Sequence, residues 1–188
     1  MKKIAIFASG EGSNAEAIVK YFASRSNIKV ELVLSNRLSA GVHKRMERLG
    51  IPTKTFSKEE WQQPSKIINI LNELSIDLIV LAGFLAILQP SLVKAYSGKM
   101  INIHPSLLPH YGGAGMWGMN VHRAVLENGD SESGISIHYV NEWVDGGEIV
   151  VQYKCEVRET DTAEDLANRV HSLEHYHYPR VIEKILTE

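Results

Sequence analysis

"KIAIFASGEGSNAEAIVKYFASRS", Lys3 to Ser26, is the stretch that decides the fold. It opens on a short apolar run closed by Gly10, the pattern of a buried strand. Apolar residues then recur at helical spacing from Asn14 onward, with Ser13 or Asn14 placed to cap the helix. Between them lies "SGEGSNA", where backbone N–H groups and the dipole of the following helix favour a phosphate. Gly10, Gly12 and Ala15 also fit the relaxed dinucleotide pattern G-x-G-x-x-[GA], which asks for an acidic residue about 20 positions on. The next apolar run ends instead in "LSNR", at Asn36 and Arg37. That weakens a nicotinamide reading, although Arg37 suits a 2′-phosphate. A turn that merely needs glycine is the alternative.

The alternation continues outward from this unit. "KVELVLSN" reads as a second strand and "AGVHKRMERLG" as a helix closed by Gly50. "PSKIINILNELS" is a helix with Pro64 in its first turn. "IDLIVLAGF" is a nearly continuous apolar run, as expected of a strand covered on both faces. "PSLVKAYSG" is a short helix, "KMINIH" a strand, and "VHRAVLENG" a helix ending at Gly129. "SGISIHYV" and "GEIVVQYKCEV" alternate like strands, and "TAEDLANRVHSLEHYHYPRVIEKIL" is helical with an interruption expected near Pro179. Strand–helix alternation predicts an α/β fold: an open, mostly parallel twisted sheet with helices on both faces. The late strands predict an antiparallel extension near the C-terminus. No repeat or linker divides the sequence, so residues 1–188 are expected to form one domain.

Twenty basic against 22 acidic residues, net −2, leave no overall charge to recruit nucleic acid or an anionic membrane. A small anionic substrate remains compatible, since a few local groups suffice for it. The single cysteine, Cys155, excludes an internal disulfide and leaves no thiolate cluster for zinc. The opening lysines break off at Gly10 and Glu11 before a signal-peptide core can form. A cytoplasmic protein, monomer or homodimer, acting on small molecules without a metal is the expectation.

Two polar groupings stand out against this background. In "MINIHPSLLPHYGG", Asn102 and His104 end a strand two residues apart and so share a face. The carboxyl end of a parallel strand is where open sheets bind ligands. Asn offers a neutral donor, and His exchanges a proton near neutral pH. A hydrogen-bonded structural His is the alternative. In "NEWVDGGEIV", Asp145 precedes two glycines that permit a tight turn. Taken alone, it reads as an ordinary turn residue.

Together, Gly-Ser-Asn after the first strand, "LAGF", "INIHPSLLP", "SGISIHYV" and "DGG" resemble the folate-dependent formyltransferase superfamily, from Lys3 to about Pro179. "SGEGSN" and "LEH" resemble the members that formylate glycinamide ribonucleotide, a purine precursor. The resemblance implies 10-formyltetrahydrofolate as cosubstrate and direct attack of an amine on the formyl carbon through a tetrahedral oxyanion. It implies that Asn102 and His104 donate to that oxyanion, worth roughly 10²–10³ in rate each. Asp145 would pair with the His, favour its protonated form and help move a proton from the amine to the folate N10. Gly12, Ser13 and Asn14 would hold the ribonucleotide phosphate, and Glu174 its ribose. Folate would lie against Leu85, Ala86, Ile87 and Leu88 and the loop Asn141, Glu142, Trp143 and Val144. Ser136 and His138 would support the site from the neighbouring strand.

The sequence also departs from the family. Ala86 stands where many relatives carry an Arg, and "YGGAGMWGMNVH" is longer than the short turn of some relatives. A folate-facing Arg of some relatives has no counterpart in "KEEWQQPSK", where Lys58 is the available substitute. Among rival readings, "HSLEH" matches the H-x-x-E-H pattern of inverted zinc proteases. Formyltetrahydrofolate deformylases share the core but carry an N-terminal regulatory domain, and tRNA-formylating relatives an added C-terminal one. Neither is expected here. A non-catalytic nucleotide-binding module explains the glycine loop but leaves Asn102, His104 and Asp145 without a role.

Overall fold

Successive residues of the first strand face different cores. Ile4 and Ile6 pack on one side of the sheet and Ala5 and Phe7 on the other, all four fully buried. Such two-sided burial requires helices on both faces. The computed structural model, which describes residues 1–188, supplies them. The strands are β1 (Lys2–Phe7), β2 (Ile28–Ser35), β3 (Thr53–Thr55), β4 (Leu78–Leu81), β5 (Met100–His104), β6 (Glu132–Tyr139) and β7 (Ile149–Glu156). The helices are α1 (Ser13–Phe22), α2 (Val42–Arg48), α3 (Lys58–Trp61), α4 (Pro64–Glu73), α5 (Pro90–Ala95), α6 (Met119–Glu127) and α7 (Ala163–Thr187).

The seven strands form one sheet in the order β3-β2-β1-β4-β5-β6-β7. The first five run parallel, and β6 and β7 are antiparallel to their neighbours. This is the expected open, mostly parallel sheet with an antiparallel extension. Strand order reverses beside β1, so the chain segments leaving β1, β4 and β5 open together at the carboxyl end of the sheet, the usual place for a ligand crevice. No helix is long and apolar enough to cross a membrane.

Three local expectations change, and two short elements go unread. The Thr53–Thr55 strand and the Lys58–Trp61 helix escape a reading by periodicity, because each is shorter than one period of its pattern can reveal. Helix α1 begins at Ser13 with Gly12 as its N-cap, and neither Ser13 nor Asn14 caps it. The apolar run of β4 leaves the sheet after Leu81, so "AGF" belongs to a loop. Helix α7 is continuous through Pro179. A mid-helix proline costs about 3 kcal/mol in isolation. Here buried Glu174 and Tyr178 before it, and Val181 and Ile182 after it, hold both halves on the sheet. The Tyr178 hydroxyl also donates to the Leu81 carbonyl at 2.9 Å.

Candidate active site

The glycine loop after β1 is shaped by α2. Gly12 has φ of +75°, and a Cβ there would stand 2.5 Å from a methyl of Val42. Only glycine combines that backbone with that approach. The loop delivers Ser13 and Asn14 to the wall of a cavity of about 570 Å³, and Glu174 of α7 closes the same cavity. Asn14 Nδ2 donates to Glu174 Oε2 at 2.8 Å, and its Oδ1 is buried without a partner. The Asn14 amide therefore serves Glu174. Burial raises the Glu174 carboxyl above the usual carboxylate range, only partly offset by Asn14.

At the end of β5, Asn102 and His104 meet Asp145, a residue from the far side of β6 in the chain. Asp145 Oδ2 accepts from the Gly113 amide at 2.9 Å and stands 3.5 Å from His104 Nδ1. Its Oδ1 is 3.5 Å from Asn102 Nδ2 and 3.7 Å from His138 Nε2. The carboxylate is thus shared by four donors or rings. Its backbone adopts φ of +53°, a conformation that non-glycine residues seldom hold unless their surroundings enforce it. His104 is buried, and its Nε2 is 2.7 Å from the Tyr111 carbonyl. Tyr111 is itself at φ of +54°. Both ring nitrogens of His104 therefore face protein acceptors, whereas the family resemblance implies a ring aimed at an oxyanion.

His138, on β6 opposite Asn102, fixes the orientation of that amide. Its Nδ1 donates to the Tyr139 carbonyl at 2.9 Å, which leaves Nε2 to accept from Asn102 Nδ2 at 3.1 Å. Burial pushes the His138 ring toward its neutral form, as this pattern requires. Ser136 lies one layer behind. It donates to the Ser106 carbonyl and accepts from the Leu108 amide at 2.9 Å, bracing the loop that follows His104.

A second cavity, about 130 Å³, opens on the other side of Asn102 and Asp145. Its walls are mostly apolar: Leu81, Phe84, Ile87, Leu88, Val140 and Val144, with Ala86, Asn141, Glu142 and Trp143. Asn102, Asp145, Ala86, Ile87 and Val144 border both cavities. The segment Leu85–Leu88 is held from beneath. The Leu85 amide donates to Ser9 Oγ at 2.8 Å, and Ser9 Oγ in turn donates to Asn36 Oδ1 at 2.6 Å. Trp61 Nε1 donates to the Ile87 carbonyl at 3.2 Å. The opposite loop is braced by Asn141, whose side chain bonds the Trp143 amide and the Gly146 carbonyl.

Neither Ser9 nor Trp61 is legible in the sequence as a site residue, since each acts through another residue's backbone. Lys58 is exposed on α3 and lines neither cavity, so it does not replace the missing Arg. Arg37 borders neither cavity either, and Asn36 is committed to Ser9. In "HSLEH", Glu174 accepts from Asn14, and the rings of His171 and His175 stack 6.3 Å apart. His171 and Glu174 of that pattern belong to the wall of the larger cavity, and His175 lies outside it.

Comparison with known proteins agrees with this fold. The family described as formyl transferase matches residues 2–182. A phosphoribosylglycinamide formyltransferase of Bacillus subtilis (strain 168) is 38% identical over 191 residues, covering 99% of this chain and 95% of the relative. A chloroplastic one of Arabidopsis thaliana is 39% identical over 193 residues; all of this chain aligns, spanning 66% of that relative. The crystal structure of phosphoribosylglycinamide formyltransferase from Streptococcus pneumoniae TIGR4 matches with a TM-score of 0.89 and 34% identity, over 100% of both chains. With its family match running nearly end to end and its polar cluster set between two cavities, the chain belongs to the formyl transferase family.

Proposed function

We propose that this chain transfers the formyl group of 10-formyltetrahydrofolate to the amine of glycinamide ribonucleotide, a step of purine synthesis. The observation that carries this reading is the meeting of two unlike cavities at Asn102 and Asp145. The larger has a helix N-terminus and polar walls suited to a sugar phosphate. The smaller is an apolar slot suited to a flat pterin. A group passed from one ligand to the other must cross the junction.

The chemistry follows from what stands there. The amine nitrogen attacks the formyl carbon, and the C–N bond forms as the carbonyl oxygen takes up charge. Asn102, held by His138 through one N–H, turns its second N–H from Asp145, 3.5 Å away, to that oxygen. Asp145, held by Gly113 and His104, receives the proton that the attacking amine sheds and relays it toward N10 as the bond from N10 to the formyl carbon breaks. His104 sits behind the carboxylate and fixes it through one nitrogen while Tyr111 holds the other. Ala86–Leu88 and Asn141–Val144 grip the pterin from two sides, while Leu85 faces the larger cavity. Gly12 and Ser13 take the phosphate, and Asn14 positions Glu174 toward the ribose.

The deciding experiment follows formyl transfer with glycinamide ribonucleotide present or omitted. Transfer that depends on the amine is expected. Release of formate at the same rate without the ribonucleotide would establish a hydrolase instead.

Trp61 offers a narrower test. Trp61→Phe keeps an aromatic ring beside Phe7 and Phe84 but removes the bond to Ile87. Losing one hydrogen bond of about 0.5–1.5 kcal/mol should raise the folate KM roughly twofold to tenfold. The ribonucleotide KM should stay within about twofold. Equal rises in both would show that Trp61 supports the whole sheet edge and not the folate segment.

A further inference from the structure

His122 of α6 forms part of the wall of the larger cavity, yet the mechanism above gives it nothing to do. It is almost completely buried, and its Nδ1 is closed off from solvent with no hydrogen-bond partner. No bond from the protein reaches its other nitrogen. Buried polar groups are ordinarily hydrogen-bonded, and Nε2, the ring nitrogen that is not sealed off, is the one a ligand in the cavity can reach. Around it stand His171, whose ring meets the His122 ring edge to face at 6.5 Å, and Glu174, one turn further along α7. All three belong to the same cavity as the glycine loop.

We infer that His122 is a specificity-determining contact for a ribose hydroxyl, so that His122 and Glu174 together read the vicinal diol of the ribonucleotide. This deepens the reading of the larger cavity as the ribonucleotide site and rests on it. The chemistry selects a hydroxyl over the phosphate. Burial and the neighbouring His171 push the His122 ring down to about 4, so it is neutral at pH 7. A neutral imidazole offers one donor and one acceptor, which matches a hydroxyl and gives a phosphate no countercharge. The phosphate has its own donors at the start of α1. The 2-hydroxyl falls to His122 and the 3-hydroxyl to Glu174; without them Glu174 is bonded by Asn14 alone and His122 by nothing. A site built to bond a hydroxyl rejects the analogue that lacks it, because its own polar atoms are then left unpaired.

The test compares methyl β-ribofuranoside 5-phosphate with its 2-deoxy counterpart by calorimetry, on the wild type, His122→Phe and His122→Gln. The wild type should prefer the ribose form by about tenfold or more. His122→Phe, which keeps the ring's shape, should reduce that preference to under about twofold, and His122→Gln should restore most of it. In the full reaction, His122→Phe should raise the ribonucleotide KM about tenfold and leave the folate KM within about twofold. Should His122→Phe fail to fold, ¹⁵N spectra of the wild type decide: the His122 ring nitrogens must shift on adding the ribose phosphate and shift less with the deoxy form. Equal binding of the two sugars by the wild type overturns the inference, as does a preference that survives in His122→Phe. A sugar preference that persists in a protein unable to formylate glycinamide ribonucleotide would refute the proposed reaction and leave this contact standing.

Discussion

Asp145→Asn is expected to lower kcat by about 10²–10⁴-fold, the range for loss of a positioned acid–base group, with little change in Tm. Asparagine is the informative replacement because it keeps the size of the side chain. It also tolerates the left-handed backbone that Asp145 adopts at φ of +53°. The introduced amide oxygen can still accept from the Gly113 amide, so the loop stays closed. What disappears is the charge and the second acceptor. The amide nitrogen then faces the Asn102 amide, donor against donor, across the 3.5 Å that the carboxylate now bridges. Asn102 loses its alignment, and no group remains to take the proton from the attacking amine. Measurement of kcat with both substrates saturating, beside a thermal melt, separates the chemical loss from unfolding. Turnover within about threefold of wild type would remove Asp145 from the mechanism. A comparable fall in Tm would make it a structural residue.

That cluster shows how far a sequence can be read toward a site. Asn102 and His104 are legible because a strand's two-residue period alone places them on one face. Asp145 is legible only beside a family resemblance, since "DGG" by itself describes a turn. The detailed wiring is not legible at all. His104 points at the Tyr111 carbonyl and Asp145, and Asn14 at Glu174, because of distances across loops that no local pattern encodes. Ser9 and Trp61 escape for a related reason: each bonds a backbone group, so the identity of its partner carries no signal. The sheet itself is readable from apolar runs broken by glycine and proline. The exceptions are elements too short to show a period, and Pro179, where packing on both sides overrides a local helix breaker.

Gly147→Ala is expected to damage both stability and turnover, because this glycine is where the β6–β7 hairpin and the Asp145 turn press together. A Cβ at Gly147 would lie 1.7 Å from the Tyr139 carbonyl oxygen and 2.7 Å from its carbon. Those are backbone atoms of β6, and they cannot rotate away as a side chain would. The Tyr139 amide also donates to the Glu148 carbonyl at 2.8 Å, so the two segments are tied where they would have to part. Relief must come from moving the turn outward. Overpacking of this kind costs about 1–3 kcal/mol, which lowers Tm by roughly 2–12 °C for a chain of this size. The same movement carries Asp145 away from His104 and Asn102, and a misplacement of about 1 Å can cost on the order of 10²-fold in rate. Gly146→Ala is the control: its Cβ would meet the Cβ of exposed Trp143 at 2.8 Å, in a loop that can give. Thermal melts and saturating kinetics on both variants should rank Gly147→Ala well below Gly146→Ala on each measure. Wild-type Tm and kcat in Gly147→Ala would mean that β6 yields at Tyr139, and that the position of Asp145 does not depend on this close approach.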